Sequence, residues 1–511
     1  MKAKFIALFF LISIPLPSFP SENTLKIFWP LSEISASKFY DPARYSFIED
    51  WLILNNVYNG LVKLDPYQRI LPDLADFWKI SSDGLKYEFL LKKNVKFHNG
   101  KNVEAEDFLK SIERLYKIAL KRDPIVMEFF RILTGRENSS FEEVKKRIII
   151  KSKHEIEIRI SKKYPFFLSF LANPAFKIVY EEKNGKLIGS GPFFIENIER
   201  KKVSLVRNPN YFEGTPLIER IILIDYLGIP VEERFSLFKK GDVDIFPSPG
   251  NKFFKLPADA DAIEMEEELY SFTFIALNLS IPPFNNRDFR KALFLGINRK
   301  RIAEELGNHC VYFPYAIPRK LHRYEVPLPY GEYDFPKAKK IIEEIQKANK
   351  IEPIYLPFYS ETPFSKKFLS LIEEEFSKLG LILKPKKVSE EEYWKMLEKK
   401  KFQLFIQSYN ADLPEAFGII YPLFYSKSPV NSSNYSNPEV DRLIIKAMEE
   451  NNYSKRIKIY QEIESIIYRD IPIIPLFTDK DVWIVRKNIE GLKISYNGLV
   501  DTDLKIVKLK K

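Results

Sequence analysis

Histidine and cysteine, the side chains that most often do catalytic or metal-binding chemistry near neutral pH, are scarce in this sequence. The 511 residues include one cysteine, Cys310, and four histidines, His98, His154, His309 and His322. No two histidines have the spacing of a metal-binding pair on one helix face, and no H-E-x-x-H pattern occurs. Cys310 directly follows His309, and adjacent residues rarely form a nucleophile–base pair. These residues therefore do not predict an enzyme.

The motifs that bind phosphate or present a serine nucleophile are also absent. There is no G-x-x-x-x-G-K-[ST] pattern, and Gly189-Ser190-Gly191 lacks the spacing of G-x-S-x-G. The 69 aspartates and glutamates are too many for a catalytic pair to be identified by counting, so a hydrolase with two carboxylates stays an open alternative. We therefore expect a protein that is not an enzyme and that carries no cofactor.

The sequence is basic, with 80 lysines and arginines against 69 acidic residues and a formal net charge of +11. Such a balance can indicate a nucleic-acid partner. Here lysine and glutamate are interleaved instead, as in KKIIEEIQKANK and EEYWKMLEKKK, which is typical of solvated helix faces. We see no basic block and therefore expect no nucleic-acid partner.

The first residues read as an export signal. Lys2 and Lys4 precede an apolar run over residues 5–14, and this run of about ten residues is shorter than the roughly 20 that span a bilayer. We predict a signal peptide at residues 1–20 and a soluble periplasmic protein that is not integral to the membrane after cleavage, with an uncleaved anchor as the alternative. No cysteine lies near this segment, so we expect no lipid anchor.

Apolar patterning alternates between the periods of strands and helices, which predicts an α/β or α+β protein. Asn298 and Gly380 stand where a helix N-cap and C-terminal glycine are expected. Strands are predicted at 25–29, 87–91, 154–160, 203–206, 272–279, 354–358, 402–407 and 471–477. Helices are predicted at 103–116, 336–348, 364–379, 438–450 and 453–469, with two more within 287–306.

Six segments, in order along the chain, resemble one family. Residues 71–115 contain LPDLADFWKISSDG and VKFHNG, residues 190–214 read SGPFFIENIERKKVSLVRNPNYFEG, and residues 276–302 begin ALNLSIPPFNN. YDFPKAKKII, YSNPEVDRLIIKA and IPIIPLF are the other three. Together they resemble the extracellular solute-binding proteins of family 5, which serve ABC importers of oligopeptides, dipeptides and nickel.

The resemblance implies an α/β fold of two lobes, periplasmic-binding-protein-like (type II, cluster C), with an extra α+β domain inserted in the first lobe. By analogy the first lobe comprises residues 22–50, 187–268 and 477–511. The extra domain would be 51–186 and the second lobe 269–476. Hinge strands are expected at 269–278 and 473–478.

The resemblance also implies a function: the extracytoplasmic component of an ABC importer, which captures a peptide or peptide-like ligand between its lobes and delivers it to a membrane permease. We expect a monomer. Closure would bury the ligand's charges, and each buried charge needs a partner. In the segment IQSYNADLPEAF, residues 406–417, Asp412 falls on the family's carboxylate position for a ligand ammonium, and Tyr409 falls on its aromatic position.

Backbone pairing with the ligand is the second implied device, because it holds a peptide without reading its side chains. By the resemblance, Asn410 and Ala411 would supply one rail, and Arg44, Tyr45 and Ser46 the other. Arg44 could face a ligand carboxylate, or be an ordinary surface arginine.

Two departures leave the ligand class open. Tyr409 replaces the family's tryptophan, and Leu413-Pro414-Glu415 replaces the usual Asp-Pro. The alternatives are an oligosaccharide, or a nickel or other metal chelate, in the same fold, and a periplasmic chaperone or sensor. A nickel carrier would depend on His309 and His322. Asp412 could also be a turn or helix-capping aspartate.

Overall fold

The computed structural model describes residues 23–31, 40–44, 47–120, 123–248, 256–257, 260–318, 320–321, 324, 326–411 and 413–510. The predicted signal peptide, residues 1–20, lies outside these residues, as do Tyr45, Ser46, His322 and Asp412. None of the helices in the described ranges has the length and apolar character needed to cross a bilayer.

Strands and helices alternate along the chain. The strands are β1 Thr24–Trp29, β2 Val62–Leu64, β3 Ile70–Pro72, β4 Ala75–Ile80, β5 Lys86–Leu91, β6 Ile148–Ser152, β7 Glu155–Arg159, β8 Tyr180–Glu181, β9 Leu187–Ile188, β10 Phe193–Glu199, β11 Lys202–Arg207, β12 Arg220–Asp225, β13 Ile245–Pro247, β14 Ala262–Leu277, β15 Cys310–Tyr312, β16 Ile354–Phe358, β17 Leu383–Lys387, β18 Leu404–Asn410, β19 Ile473–Arg486, β20 Ile489–Glu490 and β21 Lys508–Leu509.

The helices are α1 Asp50–Val57, α2 Ala105–Ala119, α3 Pro124–Thr134, α4 Phe141–Lys145, α5 Phe167–Ala172, α6 Val231–Lys240, α7 Arg287–Gly296, α8 Arg299–Leu306, α9 Phe335–Ala348, α10 Pro363–Lys378, α11 Glu390–Glu398, α12 Phe417–Phe424, α13 Pro438–Glu449 and α14 Tyr453–Asp470. Local capping chemistry sets several of their ends. The side chain of Asn298 accepts from the N–H of Arg301 at 3.0 Å, as the sequence predicted. Gly380, two residues beyond α10, has a φ of 77°, the left-handed conformation that ends helices.

One mixed sheet runs through the molecule in the order β10-β11-β12-β1-β13-β19-β14-β18, with β15 also paired to β19. Strand β1 is parallel to β12 and β13, and the other neighbours are antiparallel. A separate antiparallel sheet, β4-β5-β7-β6, belongs to the extra domain. The predicted mixed α/β class is confirmed.

Strands β14 and β19 are the longest and connect the two ends of the sheet. They pair from Ala262 opposite Arg486 to Ala276 opposite Ile473, with a bulge between Glu268 and Phe272. The C-terminal part of β19 pairs with β13 and its N-terminal part with β15. The sequence predicted only the apolar halves of both strands, because the charged stretches EMEEE and TDKD interrupt the apolar pattern elsewhere.

The hydrophobic cores define the lobes. We call the part packed around Ile27 and Trp483 the first lobe, and the part packed around Phe289 and Ile474 the second lobe. A third core continues from the extra domain into residues next to the second lobe, where the rings of Phe166 and Phe417 lie 5.0 Å apart. The residue boundaries given above for the lobes and the extra domain stay a prediction.

The turn Gly189-Ser190-Gly191 lies against the end of α1. The N–H of Gly191 donates to the carbonyl oxygen of Val57 at 2.9 Å, and His98 of the extra domain donates from Nε2 to the carbonyl oxygen of Gly191 at 3.0 Å. A Cβ added at Gly189 would lie 2.0 Å from the carbonyl oxygen of Val57. Glycine is therefore required here for close approach of two backbones.

We expect Gly189→Ala to destabilise the protein by about 3 kcal/mol, because the clash is with backbone and the chain must shift. Gly185→Ala is the control: its Cβ would meet nothing within 4 Å, and only the φ of 82° opposes it, at about 1 kcal/mol. Urea denaturation followed by tryptophan fluorescence measures both. Equal losses in the two variants would contradict the steric explanation.

Candidate functional site

Three of the predicted site residues, Tyr409, Asn410 and Ala411, lie at the C-terminal end of β18. Asn410 is opposite Ser271 of β14, and the N–H of Ala411 donates to the carbonyl oxygen of Tyr270 at 3.0 Å. Ala411 is buried, whereas Tyr409 and Asn410 are half-buried. The structure therefore brings these three residues together beside the long strands that link the lobes.

The backbone of Asn410 points to the outer edge of the sheet. Successive residues of an antiparallel strand direct their N–H and C=O groups to opposite edges. Because the N–H of Ala411 points to β14, the backbone groups of Asn410 point away from it, and β18 is the last strand of the sheet path. Of the two predicted rail residues, Asn410 thus presents its backbone outward, while Ala411 uses its N–H inside the sheet.

The side chain of Asn410 connects β18 to the C-terminal segment of the first lobe. Its Nδ2 donates to Oδ1 of Asn497 at 3.2 Å, and Nδ2 of Asn497 donates to Oδ2 of Asp501 at 2.8 Å. Ser495 and Gln68 also donate to that carboxylate, each at 3.2 Å. This chain of hydrogen bonds links the end of β18, the first lobe and the extra domain.

Arg44, the described residue of the second predicted rail, pairs with Asp41. Its Nε lies 3.2 Å from Oδ2 of Asp41, and its side chain is 46% exposed. The same carboxylate, which is buried, is bound through both oxygens by Arg114, at 2.7 and 2.5 Å. Asp41 is therefore neutralised by Arg114, and Arg44 is a second cation at its side.

A group of polar side chains that was not predicted from the sequence lies where β14, β18 and β19 run side by side. Ser271 and Thr273 of β14 donate to the two carboxylate oxygens of Asp479 at 2.8 and 3.2 Å. The hydroxyls of Thr273 and Ser408 lie 2.5 Å apart. Asp479 and Asp481 are two residues apart in a strand and so face the same side. We call Ser271, Thr273, Ser408, Asp479 and Asp481 the polar seam.

The polar seam is acidic, and its two aspartates are half-buried. Burial raises the pKa of Asp479 to about 6, although the hydrogen bonds from Ser271 and Thr273 act in the opposite direction. Burial also raises the pKa of Asp481 and of Glu49 in the first lobe, and the carboxylate of Asp481 raises the pKa of Glu49 further. Such a group of carboxylates is stabilised by a positive charge placed among them.

Aromatic side chains from both sides meet near these acids. Phe47, which follows Tyr45 and Ser46 in sequence, packs edge-on against Trp394 of α11 with ring centroids 5.8 Å apart. Tyr359 lies 6.2 Å from the same tryptophan ring. Burial raises the pKa of Tyr359, and the charges of Glu390 and Glu49 raise it further, which places Glu49 near this aromatic group.

The nickel alternative depended on His309 and His322, and of these the structure describes His309, which does not support metal binding. His309 has Nδ1 2.9 Å from the carbonyl oxygen of Lys480 and Nε2 3.0 Å from that of Ser248. Both ring nitrogens thus face hydrogen-bond acceptors instead of an open position. Among the residues that the structure describes, no group of three or more His, Cys, Asp or Glu side chains is placed to hold a metal ion.

One sequence signal could have located the seam. The stretch TDKD, residues 478–481, puts two acids at strand spacing between apolar runs on either side. An acidic pair inside a buried strand is costly unless its position serves a purpose, which makes such a pair a candidate for function. The apolar pattern alone predicts that the strand ends at residue 477, just before this acidic pair.

Two lobes that share the long strands β14 and β19, with a half-buried polar seam beside these strands, are the architecture of a two-lobed solute-binding protein. The chain belongs to the bacterial extracellular solute-binding proteins of family 5, whose middle-region profile matches residues 69–431. The family resemblance of the sequence and the predicted two-lobed fold are both confirmed.

Known proteins of similar sequence and structure agree. The dipeptide-binding protein DppE of Bacillus subtilis is 23% identical over 506 residues, which cover 93% of this chain and 91% of the relative. The structure of Haemophilus influenzae OppA in complex with the peptide RPPGFSPFR matches with a TM-score of 0.81 at 19% identity, covering 96% of this chain and 99% of the other. The unliganded open form of a periplasmic murein tripeptide binding protein gives 0.67 at 21% identity, covering 96% and 98%.

The pH dependence of stability tests the burial of Asp479. Since the folded protein holds this proton with a pKa of about 6, against an ordinary 3.8, the free energy of unfolding falls as pH rises from about 4 to about 6, by roughly 3 kcal/mol. We expect Asp479→Asn to lose this decrease and to be more stable than the wild type at pH 8.

Urea denaturation midpoints between pH 4 and 8 measure the effect. Asp261→Asn, a change at an exposed aspartate outside the seam, is the matched control and should keep the wild-type profile. An Asp479→Asn protein with that same profile would show that the carboxylate is not buried as described.

Proposed function

We propose that this protein captures peptides or peptide-like ligands between its lobes and delivers them to the membrane permease of an ABC importer. The observation that carries the proposal is the group of half-buried carboxylates, Glu49, Asp479 and Asp481, whose pKa values are raised by partial burial beside the long strands β14 and β19. A ligand ammonium in that region would restore the charged form of these acids. Peptides bring such a group at their N-terminus.

The backbone geometry supports a peptide ligand further. The outward backbone of Asn410 offers one donor and one acceptor to an extended chain. On the other side, Phe47 contacts Trp394, and we assign Tyr45 and Ser46, which precede Phe47 in the sequence, to the second rail on the family resemblance. Arg44 can face a ligand carboxylate without leaving Asp41 unpaired, because Arg114 already binds both oxygens of Asp41.

We assign the direct contact with the ligand ammonium to Asp412, with Tyr409 as an aromatic wall. This assignment rests on the family resemblance and on the position of Asp412 directly after Ala411 at the end of β18. A buried ion pair between Asp412 and an ammonium would contribute about 2 kcal/mol or more.

The proposed mechanism is closure of the lobes about β14 and β19. The better match to the peptide-bound OppA than to an unliganded open form, TM-scores 0.81 and 0.67, supports assigning this structure to the closed arrangement. The DppE relative is named for dipeptide binding, the OppA structure contains a bound peptide, and the open-form structure is that of a protein named for murein tripeptide binding. We therefore propose binding without a chemical reaction.

The alternatives fit the seam less well. An uncharged oligosaccharide would leave the half-buried carboxylates without a counter-charge. A nickel chelate could not use His309 as a ligand, because its two ring nitrogens are hydrogen-bonded to backbone carbonyl oxygens. A chaperone or sensor would bind unfolded chains and would not retain a small ligand tightly.

Native mass spectrometry of the mature protein, followed by denaturation to release its ligand, tests the ligand class directly. We expect a ladder of peptide masses, because backbone pairing holds peptides of different sequence. A single mass of a sugar or a metal chelate would leave the fold unchanged and contradict the peptide proposal.

The ammonium contact is tested by Asp412→Asn. We expect peptide affinity at pH 7.5 to fall by about 30-fold or more, the equivalent of about 2 kcal/mol. The Asp261→Asn variant should bind as the wild type does. Isothermal titration calorimetry with one peptide and its N-acetylated form completes the design: acetylation should weaken binding to the wild type and have little effect on Asp412→Asn. Undiminished binding by Asp412→Asn would remove its assigned role.

A further inference from the structure

A cavity of about 200 Å³, separate from the end of β18, lies where the extra domain meets the first lobe. None of Tyr409, Asn410 and Ala411 lines it. Its walls come from the end of α1 and the following residues, from residues 172–177, from Pro192 and Tyr211, and from the segment 491–506. Exposed Leu71, Lys493 and Ile506 mark where the cavity opens to solvent. The cavity is therefore reachable by small solutes.

Lys177 is the unusual residue of this cavity. Its side chain is buried, with 5% of its surface exposed, and it lines the cavity. Its ammonium makes no hydrogen bond and no ion pair with any residue that the structure describes. Burial lowers the pKa of Lys177. A buried ammonium without a partner is costly, so the position favours an anionic group from elsewhere.

A second lysine of the cavity wall, the half-buried Lys63, shows the contrast. Lys63 pairs with Glu213 at 3.0 Å. Asp73, the acid that most strongly affects the pKa of Lys177, already accepts hydrogen bonds from Nδ2 of Asn59 at 2.7 Å and from the N–H of Gly60 at 2.8 Å. Asp73 is fully enclosed, with 0% of its surface exposed, and is not within ion-pair distance of Lys177.

Asp501, also in the cavity wall, is the opposite case. Its side chain is half-buried, and its carboxylate accepts hydrogen bonds from Asn497, Ser495, Gln68 and Asn55, all of them neutral donors. Burial raises its pKa, and no lysine or arginine among the described residues lies within ion-pair distance of it. Lys177 and Asp501 thus lie in the wall of one cavity, and among the described residues neither has an oppositely charged partner within ion-pair distance; of the two acids without a cation, only Asp501 is accessible.

We propose that this cavity binds a small zwitterion of the size of a free α-amino acid, whose carboxylate pairs with Lys177 and whose ammonium pairs with Asp501. The size follows from the volume. A space of about 200 Å³ is below the roughly 300–1,000 Å³ of pockets for drug-sized ligands, and at about 30 Å³ per water it corresponds to about seven water molecules. Each end of the zwitterion supplies the charge that its partner lacks.

The site differs from the cleft in what it can hold. A peptide chain of several residues exceeds the volume, and an ion with a single charge leaves either Lys177 or Asp501 uncompensated. The proposal therefore distinguishes a zwitterion from its two halves, which can be tested with glycine, acetate and methylammonium at equal concentrations.

Calorimetric titration of glycine into the full protein, with the cleft saturated by a tight-binding peptide, is the test. We expect one glycine per chain, with acetate and methylammonium at least tenfold weaker. Lys177→Met should weaken glycine binding at least tenfold, whereas Lys493→Met, at the exposed rim, should change it less than threefold. No glycine binding, equal binding of acetate, or binding that survives Lys177→Met would each overturn the proposal.

A spectroscopic readout keeps the test independent of the variants. In protein labelled with ¹³C at the lysine ε-carbons, the Lys177 signal is the one missing from Lys177→Met. In the wild type, glycine should move the titration midpoint of this signal upward by at least one pH unit, because a bound carboxylate stabilises the ammonium. A midpoint that glycine leaves unchanged would overturn the proposal even if Lys177→Met folded poorly.

Discussion

The pairing of β14 with β19 is the interaction on which the rest of the structure depends. These strands run through both lobes, so that each lobe builds its own hydrophobic core on a different part of the same ladder. Because backbone hydrogen bonds fix the register, the residues between the two cores are held in place by both. The bulge between Glu268 and Phe272 marks the level at which the ladder passes from one lobe to the other.

The polar seam is a consequence of this arrangement. Between two apolar cores the strands carry Ser271, Thr273 and Asp479 in place of apolar side chains, and the hydroxyls satisfy a carboxylate that burial has made weakly acidic. Partial burial of these acids works against stability at neutral pH, and under the proposed function a cationic ligand group would reverse that effect. In the mechanism that we propose, ligand binding and closure of the lobes would therefore stabilise each other.

Many local features could be predicted from the sequence because their causes are local. The strand Ile354–Phe358 and the cap at Asn298 follow from patterns a few residues long, and the structure confirms both. The prediction was incomplete where charges interrupt an apolar pattern. Residues 262–271 and 478–486 form the other halves of β14 and β19, and charged side chains there hid strands that tertiary pairing creates.

By itself the sequence determined the family and the alternation of strands and helices. These depend on residue types within short windows and on motifs that keep their order. Only the tertiary structure decided which polar groups meet. Asp479 lies 208 residues from Ser271, Arg114 and Arg44 converge on Asp41, and Lys177 is left without a partner in a cavity. The pKa of a carboxylate depends on what buries it and on which charges surround it, and no short segment of the chain contains that information.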